Sequence, residues 1–275
     1  MNRKIQQDSA NLWEYIDFVK PQIEESLRKF LFSQDERVEE EIILAFEHTL
    51  LFGSDRLRGV LTLLAAELVG GRIEKVLPAA VSVEYIYASA VVLENLLLRD
   101  EFYQRDKFSD ETSGRAFSLF VCLDLLNKAY DLVFVNRRFE FEKALEAHSE
   151  IVGCISSVRK FAEKVYEYKE ISTLNSGFRE TVSMLLIRLS IRIGAILEGA
   201  DYLQLSILSR FAESFSQAYL LSEKLIKQKG KDRILRKKLE EASHEASRIL
   251  AENFPPSQAR SRLVQLAEYL TERKV

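Results

Sequence analysis

The sequence predicts an all-α protein, and three observations carry that prediction. Only 10 glycines and 4 prolines occur in 275 residues, well below ordinary usage, whereas an all-β chain needs turn residues about every ten positions. Apolar side chains recur at three and four positions over most of the chain. No Ser/Gly-rich linker divides it, so residues 1–275 read as a single helical domain. Hydrophobic residues make up 47% and charged residues 29%, enough for a large core, which excludes intrinsic disorder, collagen and small disulfide scaffolds. Lys+Arg 39 against Asp+Glu 42 leaves a net charge of −3, and gives no reason to expect nucleic acid.

Each element follows from its own pattern. Asn11 to Leu31 alternates apolar and charged faces around Pro21. Ser33 followed by Glu36 forms a capping-box pattern opening a helix through Ile42, Ile43, Ala45 and Phe46, which Gly53 breaks. Leu57 to Val69 reads as a helix stopped by Gly70-Gly71, and Pro78 as the start of a long apolar helix running past Val92. From Gly114 a further helix carries Leu119, Leu123, Leu126 and Tyr130. Thr181 to Leu197 is apolar nearly all round and is expected to be central and buried. Leu208, Phe211, Phe215, Tyr219, Ser222 and Leu225 mark one face of the next helix. Pro255-Pro256 separates the last two helices, with Ser257 as N-cap.

Cys122 and Cys154 both stand in apolar stretches and read as buried structural thiols. His48, His148 and His244 are far apart, and no Cys/His spacing suits a metal. Met1 to Ala10 is polar and lacks the apolar core of a signal peptide. The most apolar window, Val76 to Leu98, contains Glu84 and Glu94, charges that are costly at a bilayer centre. The expected location is cytoplasmic, with no transmembrane segment.

Four segments, taken in order, resemble the trans-isoprenyl diphosphate synthase (polyprenyl synthetase) family. Phe52-Gly53-Ser54-Asp55-Arg56-Leu57-Arg58-Gly59 resembles its Gly-Gly-Lys-Arg-x-Arg-Pro segment. Leu77-Pro78-Ala79-Ala80 and Val83-Glu84-Tyr85-Ile86 resemble the helix leading to the first Asp-Asp-x-x-Asp motif. Gly194-Ala195-Ile196-Leu197-Glu198-Gly199-Ala200, then Phe211-Ala212-Glu213, matches the approach to the second. Phe254-Pro255-Pro256-Ser257-Gln258-Ala259-Arg260 through Tyr269-Leu270 resembles the last helix. The resemblance implies the all-α isoprenoid synthase bundle around a central cavity. It also implies a dimer built on the helix of the first motif and the segment that follows.

In that family, Mg²⁺ ions held by two facing Asp-rich motifs bind an allylic diphosphate, whose departure leaves a carbocation for isopentenyl diphosphate to attack. The chemistry needs hard carboxylate ligands and dense positive charge around the leaving group. Ungapped alignment places the first motif at Glu94-Asn95-Leu96-Leu97-Leu98, with one carboxylate of three. The second falls at Glu223-Lys224-Leu225-Ile226-Lys227, where three negative charges become a net +1. Two unit charges at 4 Å interact by about 4 kcal/mol at an effective dielectric of 20, so the inversion is large. Asp55 stands at the family's Lys, Tyr87 at its His, Val182-Ser183 at its Lys-Thr pair and Leu220 at its Gln. Tyr103-Gln104, or Gln104-Arg105 with a one-residue shift, falls at its Arg-Arg pair. After Lys227 the chain runs through a short basic stretch into the final helices, with no counterpart of the family's lid.

The expectation is therefore a homologue that has lost catalysis, with no catalytic residue, metal or cofactor. It would act as an interaction or regulatory subunit in isoprenoid metabolism, as a homodimer or beside an active prenyl diphosphate synthase. One alternative is a binder of a long-chain isoprenoid or other apolar lipid in the former product tunnel, which the resemblance lines with Tyr87, Ser89, Ala90 and Leu220. Another is a divergent active prenyltransferase or terpene synthase. Arg56, Arg58 and Arg105 read as a remnant phosphate site, though Arg56 and Arg58 could equally pair with nearby acids such as Asp55. Lys224 and Lys227 read either as a solvated helix end or as counter-charges to a diphosphate. Glu94 and Glu223 could share one cation. Arg188 and Arg192, one turn apart, are expected to pair with acids or reach an interface.

Overall fold

Several helices end on glycines or begin at capping side chains that the sequence supplies. The computed structural model describes residues 11–31, 50, 55–98, 111–135, 141–168, 171–230 and 232–273. Its helices are α1 (Leu12–Leu31), α2 (Leu57–Leu68), α3 (Ile73–Leu98), α4 (Glu111–Val135), α5 (Phe141–Tyr168), α6 (Ile171–Leu197), α7 (Tyr202–Lys227), α8 (Arg233–Asn253) and α9 (Gln258–Glu272), and no strand occurs among the described residues. The Ser33–Glu36 capping box, the Gly53 break and the 103–105 segment lie outside those residues.

α2 ends on the expected glycines. Gly70 takes a left-handed φ of 87° and donates to the Glu67 carbonyl, while the Gly71 N–H reaches back to Ala66 at 2.9 Å. Such paired bonds satisfy carbonyls that a bare helix end leaves open. α6 closes the same way at Gly199. At the N-termini, Asp201 and Gln204 form a capping box on α7, Asp232 caps α8, and Ser257 accepts from the Arg260 N–H to cap α9.

α2 and α6 sit at the centre. α2 packs on α1, α3, α6 and α9, and α6 packs on α2, α3, α5 and α7. They cross so closely that a β-carbon on Gly194 would lie 2.0 Å from the Thr62 carbonyl oxygen. From Thr181 onward α6 is largely buried, as its apolar sequence predicts, with Leu186, Ile187, Ile191, Ile193 and Ala195 in the core. On α7, Leu208, Phe211, Phe215, Ser222 and Leu225 are buried, and Tyr219 is half-buried. A polar cluster stitches the N-terminal helix to the last one. The buried Arg262 pairs with Glu67 at 3.2 Å and lies 4.2 Å from the centre of the Tyr15 ring.

Three boundaries differ from the sequence reading. α3 begins at Ile73, so Pro78 lies inside it; the N–H it lacks would have bonded only Glu74, still in the first turns. α4 begins at Glu111 rather than Gly114, and α6 begins ten residues before Thr181. The stripe on α4 also divides. Leu119 and Leu123 are 49% and 55% exposed, and Phe120 is 68% exposed. The buried face is Ser118, Val121, Cys122, Leu125, Ala129 and Leu132. Small side chains decide this outcome, because they let α4 approach α3 closely. Ser82 Oγ donates to the Ala129 carbonyl at 2.7 Å, and Cys122 Sγ lies 3.7 Å from the Ser89 carbonyl. Both cysteines are buried and free.

Among the described residues one segment, Ile73–Glu94, is long and apolar enough to cross a membrane, and most of it is buried inside the protein. Two of its three carboxylates, Glu84 and Glu94, are engaged within the fold. Glu84 accepts from the Gly59 N–H at 2.8 Å, and Glu94 accepts from Arg179.

Candidate functional site

Spacing of three and four places Tyr87, Ala90, Val91 and Glu94 on one face of α3, and Leu220, Glu223, Lys224 and Lys227 on one face of α7. Those two faces meet around a cavity of about 400 Å³, completed by Arg58 from α2 and by Arg179, Glu180, Val182 and Ser183 from α6. One side of it is apolar, formed by Ala90, Val91, Val182 and Leu220. The rest is charged, with Arg58, Arg179, Lys224 and Lys227 against Glu94, Glu180 and Glu223. Four cations against three carboxylates leave one positive charge.

Each of the three carboxylates is already held by a cation. Glu94 pairs with Arg179, Glu180 with Lys224 at 2.9 Å, and Glu223 with Arg273 at 2.6 Å. Adjacent residues on α6 thus reach in opposite directions, Arg179 to α3 and Glu180 to α7. Arg58 is only 4% exposed. Its guanidinium lies 3.6 Å from the centre of the Tyr87 ring and donates to Ser183 Oγ at 3.3 Å. Lys227 is exposed, with no carboxylate partner among the described residues. Burial pushes the Tyr219 hydroxyl up to about 12, so this cavity-lining phenol is neutral at physiological pH.

The candidate residues divide. Tyr87, Ala90, Leu220, Glu94, Glu223, Lys224, Lys227 and Arg58 all line the cavity. Ser89 does not: it is buried, its hydroxyl donates to the Tyr85 carbonyl at 2.8 Å, and it faces α4. A 100° step per residue turns position 89 away from the face shared by 87, 90 and 94. Arg56 does not either. It is 1% exposed, in a left-handed conformation (φ 58°) at the start of α2, and donates to the Leu50 carbonyl at 2.6 Å. Buried Glu84 lies 3.5 Å from it and half-buried Glu24 3.6 Å, so acids rather than a phosphate surround it. Asp55 is not its partner; it accepts from the Leu57 N–H at 3.1 Å and so opens α2. Arg105 lies outside the described residues, as do the side chains of Asn95 and Leu98.

Arg179, Glu180 and Arg273 are site residues that the sequence reading missed. Arg179 and Glu180 precede Thr181, where the apolar pattern of α6 sets in, and Arg273 stands alone past the apolar pattern of α9. Arg192 forms the pairing expected of it, a two-point contact with Glu150 at 2.8 and 2.6 Å. Arg188 instead lines a second cavity of about 330 Å³ between α5 and α6.

Mg²⁺ prefers several carboxylate and water oxygens in octahedral array. The residues present do not fit it. Glu94 and Glu223 each hold an arginine, and Lys224 and Lys227 share the same wall. Among the described residues no three His, Cys, Asp or Glu side chains are grouped to hold a metal. No Asp-Asp pair occurs anywhere in the 275 residues.

An all-α bundle with a cavity between helices α3, α6 and α7 is the isoprenoid synthase fold. It superposes on geranylgeranyl pyrophosphate synthetase from the archaeon Geoglobus acetivorans with a TM-score of 0.79 at 20% identity, over 95% of this chain and 99% of that one. No protein-family profile matches the chain. Its homologues are trans-isoprenyl diphosphate synthases. Dimethylallyltranstransferase of Fischerella ambigua is 22% identical across 99% of this chain and 86% of its own length. Mitochondrial geranylgeranyl pyrophosphate synthase 6 of Arabidopsis thaliana is 43% identical over 61 residues, which span 22% of this chain and 18% of that enzyme.

Proposed function

We propose that this chain is a non-catalytic homologue of the prenyl diphosphate synthases that acts as an interaction or regulatory subunit in isoprenoid metabolism. The pairing of all three cavity carboxylates with cations carries this reading. An enzyme that ionises an allylic diphosphate through Mg²⁺ needs free carboxylates on facing helices, and here those positions hold Glu94 and Glu223 under arginines, beside two lysines. The short run from Lys227 to Arg233 leaves five residues between α7 and α8, too few for a lid. The partner is a second copy or an active prenyl diphosphate synthase in the cytoplasm, docked on the exposed Leu119, Phe120 and Leu123 of α4.

Incubation of the isolated protein with Mg²⁺, isopentenyl diphosphate and allylic primers is expected to give no elongated product; steady elongation would overturn the reading. Purification from the native cell is expected to bring down a prenyl diphosphate synthase. Recovery of homodimers alone would count heavily against the regulatory-subunit reading.

A second reading rests on the apolar side of the cavity, formed by Ala90, Val91, Val182 and Leu220. That wall suits a prenyl or fatty-acyl chain. Native mass spectrometry of the freshly purified protein tests it, with a bound lipid supporting the reading and an empty protein removing it.

A further inference from the structure

We infer that the outer corner where α7 turns into α8 is a docking surface for a bilayer that carries anionic lipids. The corner lies outside the central cavity and does not depend on what the cavity binds. Residues 229–238 hold Lys229, Lys231, Arg233, Arg236, Lys237 and Lys238 against the single acid Asp232, five net positive charges in a chain of net −3. Lys229, Arg233, Arg236, Lys237 and Lys238 are all exposed. Among the described residues, only Lys237 of these five has a carboxylate partner, Glu241 at 3.8 Å, and solvent screens that contact. Asp232 is occupied as the cap of α8, accepting from the Ile234 and Leu235 N–H groups. Folding alone does not favour this arrangement. The first turns of a helix present the positive end of its dipole, where acids are stabilising and cations are not. α8 has no acid in its first turn and four cations in its first two, and Glu240, Glu241 and Glu245 follow only afterwards. An anionic surface at that end offsets the repulsion.

Ile234 decides which anionic partner fits. It is 70% exposed, with Arg233 beside it and Lys237 and Lys238 three and four residues on, along the same outward face. The opposite face of α8, with Leu239, Ala246, Ile249 and Leu250, is buried in the bundle. An aliphatic side chain ringed by long cations suits a membrane interface. There the isoleucine enters the acyl boundary while lysine and arginine stems lie along it and carry their charges to the headgroups. The α7–α8 turn, closed by the Gly230 N–H on the Leu225 carbonyl at 2.9 Å, keeps Lys229 at the same end of the bundle as the start of α8. Clusters of four to eight basic residues on a helix of this kind bind acidic phospholipids. Residues 228–238 contain no aromatic side chain on which a nucleobase could stack.

Vesicle flotation of the full chain tests the inference. The protein is expected to float with vesicles of phosphatidylcholine and phosphatidylglycerol, to leave them in about 0.5 M NaCl, and to stay behind with phosphatidylcholine alone. Lys237→Gln with Lys238→Gln is expected to weaken binding about thirtyfold, since each cation at such a surface contributes about a factor of five. Ile234→Ser keeps every charge and is expected to weaken binding at least about threefold. Parent-like binding by that variant would reduce the contact to bare charge and overturn the lipid assignment. Lys29→Gln with Arg72→Gln removes the same charge from exposed positions on α1 and ahead of α3, and should bind as the parent does; equal weakening by it would mean diffuse attraction and overturn the inference. So would an absence of binding to the anionic vesicles, or equal binding to the neutral ones. Retention on immobilised poly-glutamate without vesicle binding would make the partner an acidic protein and overturn it as well. The assay contains no isoprenoid diphosphate, so none of these failures bears on the non-catalytic reading.

Discussion

Arg273 donates to the Glu223 carboxylate at 2.6 Å, so the residue that ends α9 neutralises an acid on the cavity wall of α7. Arg273 also lies 5.8 Å from the centre of the Tyr219 ring. Both members of the pair are partly exposed, and solvent screens such a contact. Arg273→Ala is therefore expected to lower unfolding free energy by less than about 1 kcal/mol in urea titration. Freeing Glu223 should not create Mg²⁺ affinity, because Lys224 and Lys227 remain beside it; a magnesium-dependent rise in Tm of this variant would contradict that.

Gly194→Ala should be far more costly. The added methyl would meet the Thr62 carbonyl oxygen at 2.0 Å, backbone that belongs to another helix and cannot rotate away. α2 and α6 must separate, which disturbs the core crossing on which both depend. Overpacking typically costs about 1–3 kcal/mol and occasionally more, and a clash with fixed backbone belongs at the upper end, so a loss of about 3 kcal/mol is expected. Thermal or urea unfolding measures it, and a variant as stable as the parent would show that the crossing is loose.

The contrast between these two positions shows what could be read in advance. Gly70 ended α2 where a breaker was expected, and Ser257 capped where a serine follows two prolines, because these signals are local. The burial of α6 followed from an apolar pattern with no polar face. α4 failed the same test because it is apolar on two sides, and periodicity cannot say which side meets the core. The choice rests on Ser118, Cys122 and Ala129 being small enough to admit α3, a property of the pair of helices. In the cavity, the positions on α3 and α7 were legible through the family resemblance, by alignment with its two motifs. Their ion-pair partners Arg179, Glu180 and Arg273 were not, since a lone charge near a helix end reads as solvated until the neighbouring helix is placed.

Stability should fall in alkali through the thiols. Burial pushes Cys122 from the ordinary 9.0 up to about 11, and Cys154 up to about 12. Both folded values lie above the unfolded one, so their contribution is complete below about pH 9 and is lost as pH rises through that interval. Each pH unit in the window costs up to about 1.4 kcal/mol per thiol. Urea midpoints at pH 8.0 and 10.0 should differ in the parent. Cys154→Ala is expected to flatten that difference in part, since the buried hydroxyls of Tyr15, Tyr85 and Tyr219 are also pushed up and contribute to it; an unchanged slope would remove this thiol as a cause.

Inverting the charge of α7 should restore a metal response. In Lys224→Asp with Lys227→Asp, Glu223 and the two new carboxylates stand at i, i+1 and i+4 on one helical face, across the cavity from Glu94. Without metal the variant is expected to be less stable than the parent, because the new acids repel Glu223 and Glu180 loses its lysine. Millimolar Mg²⁺ relieves that repulsion, and a ligand that binds only the folded state raises stability by RT ln(1 + [L]/Kd). The expected observation is a Tm that climbs with Mg²⁺ in the double variant, toward that of the parent, and a flat response in the parent. Ca²⁺ and a monovalent control at equal ionic strength separate coordination from screening. A parent that responds as steeply as the variant would place the metal elsewhere and show that Lys224 and Lys227 do not decide the Mg²⁺ response.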